Sequence, residues 1–285
     1  MEAYTAFAKV YDRFMKNVPY DKWGTFIDTV ISQFGISKPS RFEEDALAQE
    51  RNLILDMGCG TGILTRILYD KGYDLIGVDL SQEMLDEAYS KCTDENDYDI
   101  MYICQDMCEL DLYSTVGTVI STCDSVNYLL EDEEVNKCFE GVHKYLYPGG
   151  LFVFDFNTVH KYRDVIGECT IAENDVDCSF IWDNYYDEDD DINEYDLTLF
   201  IRENNSDLYE RHTETHYQRG YTEREMYDFL NKLGFKIIGM IDESLICDEI
   251  NVEECIQKIK KYKGDNYARI GITDDSERII VLAGK

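Results

Sequence analysis

Between Asn52 and Asp155, short apolar runs alternate with stretches whose apolar residues recur at helical spacing, and nothing else in the chain constrains its fold as strongly. Strands that are apolar on both faces must be covered on both, and helices crossing between parallel strands supply that cover. "LILDM" predicts the first strand, "YDLIGVD" (Tyr73 to Asp79) the second, "IMYIC" (Ile100 to Cys104) the third, "GTVISTC" (Gly117 to Cys123) the fourth and "LFVFDF" (Leu151 to Phe156) the fifth. Before the fifth, Val135, Phe139, Val142 and Leu146 share one helical face, and "PGG" at Pro148 to Gly150 ends that helix. This is the pattern of a doubly wound α/β sheet.

After Asn157 the rhythm changes to strands with little helix between them: "SFIWDNYY", "YDLTLFI" and "YERHTETHYQR", the last two joined by the turn "ENNSD". An antiparallel β insertion is therefore expected over residues 165–219, with "DEDDD" (Asp187 to Asp191) as a solvated hairpin turn or, alternatively, a cation site. The tail returns to the first pattern, with a helix over Glu223 to Leu233, the strand "FKIIGMI", a charged helix near Val252 to Lys261 and a last strand "ERIIVLA". The first forty residues read as helices through "VYDRFM" and "VPYDKWGTFIDTVI". The organisation expected is a helical segment over 1–45, an α/β core over 46–164, the insertion over 165–219 and the C-terminal part of the core over 220–285, with seven strands in the main sheet.

The 59 acidic and 27 basic residues leave a formal charge of -32, and no basic patch interrupts it. Such a field opposes phosphate backbones and anionic membrane surfaces, so neither nucleic acid nor membrane is an expected partner. Ten cysteines are scattered over the 285 residues without a CxxC pair. No secretory signal segment is seen, nor an apolar run of the ~20 residues a membrane span needs. Reduced thiols and a cytoplasmic location are the expectation.

The loop after the first strand, "GCGTG", raises the question of what passes close to its backbone. At a strand-to-helix turn, glycines admit left-handed dihedrals and close ligand approach, and the helix behind them points unsatisfied amides at the ligand. The dinucleotide fingerprint GxGxxG seats a pyrophosphate there. Here Gly58, Gly60 and Gly62 read GxGxG, and Ile63 takes the place of the third fingerprint glycine. Asp56, just before the loop, would repel a pyrophosphate and attract an ammonium or sulfonium. Asp79 ends the second strand, where an acid can accept both hydroxyls of a ribose, and Asp106 in "CQDM" follows the third, placed to meet an adenine amino group. Carboxylates after three successive strands suit a nucleoside that carries positive charge.

With these residues in place, the chain resembles the class I S-adenosylmethionine-dependent methyltransferases. "LDMGCGTG" is similar to that family's first motif, Asp79 to its ribose-binding acid and "QDM" to its adenine-side motif. "VYDRFM" and "VPYDKW", "CDSVNYL" after strand four, the insertion and the closing "ERIIVLAGK" resemble a small-molecule branch that includes amino-sugar N-methyltransferases. The resemblance implies a seven-stranded Rossmann-like sheet, S-adenosylmethionine as cofactor and a small-molecule acceptor. It implies that Gly58, Cys59, Gly60 and Gly62 contact the methionine part, with Asp56 near its amino group. Asp79 and Leu80 would hold the ribose, Met84 would pack near the adenine, and Gln105, Asp106 and Met107 would bind its edge. Tyr11, Tyr20 and Trp23 would close the N-terminal helices over the cofactor as a lid, with Cys123 completing the set.

Methyl transfer from a sulfonium is an in-line displacement, so a protein that performs it aligns an acceptor lone pair and excludes water. An aromatic ring such as Tyr11 or Tyr128 can face the sulfonium. An amine acceptor must be neutral when it attacks, which calls for a base or a path to water. In "ERHTETHYQR", read as a strand, Glu210, His212, Glu214, His216 and Gln218 share one face. This hairpin is expected to roof the acceptor pocket, with His216 as base and Arg219 as an anchor; it can equally supply a homodimer contact. Asp124 and Tyr128, after strand four, are expected to face the acceptor, Asp124 favouring one that is polar or cationic. "DSVN" lacks the Asn-Pro-Pro-Tyr element of methyltransferases that act on nucleic acid bases. No metal site is expected, because His212 and His216, four apart on a strand, stand roughly 13 Å from each other.

The function expected is methyl transfer to a small polar metabolite, on nitrogen before oxygen. Two alternatives stand beside it: a non-catalytic or regulatory S-adenosylmethionine-binding protein, and a nicotinamide-dependent oxidoreductase on a similar sheet. The missing third glycine and Asp56 disfavour the second.

Overall fold

In the computed structural model, which describes residues 6–39, 45–93, 98–203, 206–247, 249–264 and 266–285, strands and helices alternate where the apolar pattern places them. The N-terminal segment forms a one-turn helix α1 (Tyr11–Phe14), then α2 (Tyr20–Phe34) and α3 (Ala46–Asn52). There follow β1 (Ile54–Met57), α4 (Ile63–Asp70), β2 (Leu75–Asp79), α5 (Gln82–Thr93), β3 (Met101–Cys104), β4 (Val116–Ser121), α6 (Asp132–Tyr145) and β5 (Leu146–Asn157). The insertion contributes β6 (Thr170–Asn174), β7 (Cys178–Asp187), β8 (Ile192–Arg202) and β9 (Tyr209–Arg219). The chain closes with α7 (Glu223–Lys232), β10 (Lys236–Asp242), α8 (Glu249–Lys261), β11 (Ala268–Ile270) and β12 (Arg278–Gly284).

The main sheet runs β11-β10-β12-β5-β4-β1-β2-β3. Strands β1 to β5 are mutually parallel, and β12 runs antiparallel to both β5 and β10. All seven expected strands are present, and an eighth, β11, adds three residues at the edge beside β10, too few to show a period. Pro148 to Gly150, expected to end a helix, lies inside β5 instead. Helix α6 already stops at Tyr145, and Gly149, at φ 80°, sits in a bulge between Leu146 and Leu151, the partners of Val116 and Thr118.

Every residue of β1 and β4 is buried, as strands covered on both faces must be. On one face α2 lays down Trp23, Phe26, Ile27, Val30 and Ile31, a single helical stripe, against Leu64 and Leu68 of α4. Each such side chain contributes ~1.5–3 kcal/mol when fully buried. On the other face Val135, Phe139 and Val142 of α6 join Met226 and Leu230 of α7.

Strands β6 to β9 form a separate antiparallel sheet. β6 escapes sequence reading because all five of its residues are exposed and no alternation marks it. Phe180, Leu197 and Leu199 of this sheet pack on Phe7, Val10 and Phe14 of the N-terminal segment. Residues 1–5 and 40–44 of that segment, and residues 204 and 205 of the "ENNSD" turn, lie outside the described residues. Among the described residues no helix is long and apolar enough to cross a membrane.

The strand order reverses between β1 and β4, and open α/β sheets bind ligands at such a point, beyond the carboxyl ends of the strands.

Candidate active site

From Met57 the chain turns through Gly58, Gly60 and Gly62 at φ 75°, 53° and 70°, a region that costs an L side chain ~1–2 kcal/mol. The N–H groups of Gly58 and Cys59 donate to the Val78 carbonyl at 2.7 and 3.0 Å, pinning the loop to the end of β2. Asp79 completes the tie: its Oδ2 accepts the Gly60 N–H at 2.7 Å and its Oδ1 the Ser81 N–H at 2.9 Å. A Cβ on Gly60 would meet nothing within 4 Å, so the apex of the loop faces open space.

That space belongs to a cavity of ≈ 700 Å³, inside the ~300–1,000 Å³ range of small-molecule sites. Asp56 lines it while only 2% exposed, and accepts a hydrogen bond from Thr65 Oγ1 at 2.6 Å. Burial pushes the Asp56 carboxyl up to about 7, opposed by the Thr65 hydroxyl and reinforced by the charge of Asp79. Burial raises Asp79 too, against its backbone donors Ser81 and Gly60. Buried carboxylates that look into a cavity are unfavourable when charged, and a cation placed there relieves them.

After β3, Asp106 caps the next turn by accepting the Cys108 N–H at 2.8 Å. The Gln105 amide bonds the Asp111 backbone in both directions, at 3.1 and 3.5 Å, clamping its own loop while lining the cavity. Met84 is buried, and Leu80, 70% exposed, forms part of the rim.

After β4, Cys123 and Asp124 adopt φ 57° and 56° in succession, which costs non-glycine residues on the order of 1–3 kcal/mol each. Asp124 is held there by Gln218 Nε2 at 2.7 Å and Arg278 Nη2 at 2.5 Å, and its own N–H donates to Asp155 at 3.3 Å. Arg278 also meets Asp155 at 2.7 Å. Burial lifts the Asp155 carboxyl to about 6, with the Arg278 charge pulling the other way. Burial disfavours the Arg278 charge, yet Asp155 and Asp124 together hold its pKa well above the ordinary value.

On the side toward the insertion, Tyr128 Oη lies 2.7 Å from Tyr195 Oη and 3.1 Å from His216 Nδ1. His216 Nε2 is 3.3 Å from Glu214 Oε2, and Glu214 Oε1 accepts the N–H groups of Ala6 and Phe7 at 2.8 and 3.2 Å.

Residues 54–150 match the methyltransferase domain family. A protein of Geobacillus sp. that bears a methyltransferase name is 34% identical over 235 residues, which span 82% of this chain and 90% of that protein. The crystal structure of an S-adenosylmethionine-dependent methyltransferase from Clostridium acetobutylicum matches with a TM-score of 0.75 at 26% identity, covering 99% of both chains. This chain belongs to the S-adenosylmethionine-dependent methyltransferases. A dTDP-3-amino-3,4,6-trideoxy-α-D-glucopyranose N,N-dimethyltransferase of Streptomyces venezuelae is 29% identical over 106 residues, 37% of this methyltransferase and 43% of its own length.

The methyltransferase cavity gathers most of the residues expected in its site. Tyr11 and Tyr20 reach it from the N-terminal helices, and Asp56, Gly58, Cys59 and Gly60 from the loop. Asp79, Leu80 and Met84 come from β2 and α5, Gln105, Asp106 and Met107 follow β3, and Cys123 and Tyr128 follow β4. Five expected residues lie outside its wall. Trp23 is turned into the core with Leu64 and Leu68. Gly62 caps α4, and the place of a Cβ there is taken by the Tyr102 hydroxyl, so its smallness serves packing. Asp124 is engaged by Arg278 and Gln218, and His216, 1% exposed, lies behind Tyr128 of the wall at 3.1 Å. Arg219, expected as an anchor, pairs instead with Asp132 at 2.8 Å and Glu225 at 3.0 Å. For His216 and Arg219 of β9 the reason is that strand register gives the direction of a side chain, not which neighbours already hold it.

Asp155 and Arg278 were invisible as a pair, 123 residues apart. A signal existed in the lone acid of the apolar run "LFVFDF" and the arginine opening "RIIVLA". Asp155 pairs with Ile280 across β5 and β12, which makes Arg278 its diagonal neighbour.

Proposed function

We propose that this methyltransferase moves the methyl group of S-adenosylmethionine to the nitrogen of a small polar amine. The observation that carries the reading is the sign of the cavity wall. Among the described residues Asp56, Asp79, Glu83, Asp106 and Glu134 line it, and no lysine, arginine or histidine does. An anionic acceptor would enter a field of one sign, whereas an ammonium is drawn in. The Streptomyces venezuelae relative, named as an N,N-dimethyltransferase of an amino sugar, supports nitrogen as the receiving atom.

When bound, S-adenosylmethionine supplies an electrophilic methyl group on a sulfonium. The residues present suit it: the buried, cavity-facing carboxylate of Asp56 pairs with its ammonium, Asp79 holds the ribose and Asp106 takes the adenine amino group. Met84, Leu80 and Met107 flank the base, and Gly60 leaves room for the methionine part. Tyr11 and Tyr20 close the opening, exclude water and orient the amine.

Incubation with methyl-tritiated S-adenosylmethionine and a panel of free amino sugars, polyamines, amino acids and nucleotide-linked amino sugars tests the reading. Label is expected in amines, and in free amino sugars ahead of nucleotide-linked ones, whose diphosphate opposes the acidic wall. Label confined to hydroxyl or carboxyl acceptors would overturn the nitrogen assignment. Failure of S-adenosylhomocysteine to bind at millimolar concentration in calorimetry would remove the cofactor from this cavity.

A further inference from the structure

We infer that Tyr128, His216 and Glu214 form a proton relay that neutralises the acceptor amine, and that the N-terminal segment completes it. The inference rests on the amine reading above and adds the residues that take the proton.

Only Tyr128 of the three lines the cavity; His216 and Glu214 stand behind it, both buried. The direction of the chain of bonds follows from its far end. Glu214 Oε1 accepts two backbone N–H groups, from Ala6 and Phe7, which turns Oε2 toward His216 Nε2. An ionised carboxylate only accepts, so Nε2 carries the imidazole proton and Nδ1 presents its lone pair to Tyr128. Tyr195 Oη, 2.7 Å from Tyr128 Oη, can donate to the same phenol oxygen, and its ring stacks on His216 with centroids 4.8 Å apart and planes 9° apart. Trp182 backs Tyr195 in turn, with ring centroids at 4.4 Å. Among the described residues, the titratable groups facing His216 are thus Tyr128 from the turn after β4, Tyr195 from β8 and Glu214 from β9.

An amine that enters as an ammonium gives one proton to Tyr128 Oη as the phenol proton passes to His216 Nδ1. The amine is then a neutral nucleophile, and the imidazolium is held by Glu214. When the cavity opens, that proton returns through Tyr128 to water, so no charge accumulates over a cycle. Tyr128 is the group that touches the acceptor, whereas His216 and Glu214 are positioning residues that act through it. Because Ala6 and Phe7 supply the donors on Glu214 and Tyr11 lines the cavity, closure of the N-terminal segment over the site also sets the relay.

The chain has only four histidines, so full-length protein labelled with 15N-histidine and saturated with S-adenosylhomocysteine gives assignable imidazole signals. The expected spectrum shows neutral His216 protonated on Nε2. Tyr128→Phe should move the Nδ1 signal and leave the Nε2 proton in place. Glu214→Gln should reverse the tautomer: the two backbone N–H groups keep the amide oxygen, its NH2 faces Nε2, and the ring proton moves to Nδ1. This parallels the loss of the working tautomer when the acid of a serine protease triad becomes its amide. In single-turnover transfer to the best-labelled amine, both variants should be slower by ~10²–10⁴-fold near pH 7. That gap should close above the amine's own pKa. A wild-type proton on Nδ1, or a rate gap that stays constant with pH, overturns the relay. Absence of any labelled amine would instead sink the amine reading, with the tautomer still deciding the direction of the bonds.

Discussion

Asp12 of α1 accepts the Thr61 hydroxyl of the glycine loop at 2.6 Å, and its other oxygen meets Lys91 of α5 at 2.5 Å. The same helix sends Tyr11 into the cavity and rests Phe14 on the insertion sheet. A single turn therefore joins the glycine loop, the cavity and the insertion. Both partners of the Asp12–Lys91 pair are about one-third exposed, so solvent screening keeps its worth small. Asp12→Ala is expected to weaken S-adenosylhomocysteine binding about tenfold, equal to ~1.4 kcal/mol. It should also speed proteolytic cleavage in the N-terminal segment while leaving Tm nearly unchanged. Unaltered affinity in calorimetry would show that the contact does not hold the segment over the site.

Cofactor affinity should depend on pH through Asp56. Its carboxyl, raised to about 7 by burial, must be ionised to pair with an ammonium. Affinity should therefore fall as the carboxyl is protonated below pH 7, approaching tenfold per unit. Asp56→Asn should bind weakly at all pH values with a flat profile. Calorimetric titrations with S-adenosylhomocysteine at pH 8, 7 and 6 decide the matter, and a wild-type profile as flat as that of the variant would refute the pairing.

Two glycines of one loop should respond differently to the same substitution. Gly60 and Gly62 both have positive φ, so alanine strains either by ~1–2 kcal/mol. At Gly60 the new methyl enters the open cavity, so Gly60→Ala should lose S-adenosylhomocysteine affinity with a modest drop in Tm. At Gly62 the methyl collides with the buried Tyr102 side chain, so Gly62→Ala should lose several degrees of Tm, with any loss of affinity following from misfolding. Thermal melts and calorimetry on both variants separate the outcomes.

What could be read from the sequence and what could not follow a physical division. The parallel strands announce themselves because burial on both faces demands continuous apolar runs, and one wall of the cavity because Asp56, the glycines and Asp79 lie close along the chain. β6 lacked any such demand, being wholly exposed. The acceptor side is assembled from distant segments, so local pattern could nominate His216 and Asp124 but not say that Tyr128 stands in front of one and Arg278 holds the other. Asp12 and Thr61, 49 residues apart, were hidden for the same reason.

Arg278 gives the sharpest stability test, because it stands between two carboxylates inside the protein. Removing one partner of a buried charge cluster costs ~3–5 kcal/mol, and here Arg278→Ala leaves Asp155 and Asp124 facing each other without the guanidinium that bridges them. Asp155 already has a carboxyl raised to about 6 with the guanidinium opposing the shift, so its loss raises that value further. A carboxyl whose folded pKa exceeds its unfolded one binds more protons when folded, so the stability it contributes is present at low pH and lost as pH rises through the folded pKa. The variant should therefore be most damaged near pH 8 and recover toward pH 5.5, narrowing its gap to the wild-type protein. Arg278→Lys, which keeps one charge but not the two-pronged geometry, should fall between them. Urea unfolding at the two pH values measures the gap; a deficit of equal size at both would mean that lost packing, rather than the uncompensated carboxylates, accounts for the damage.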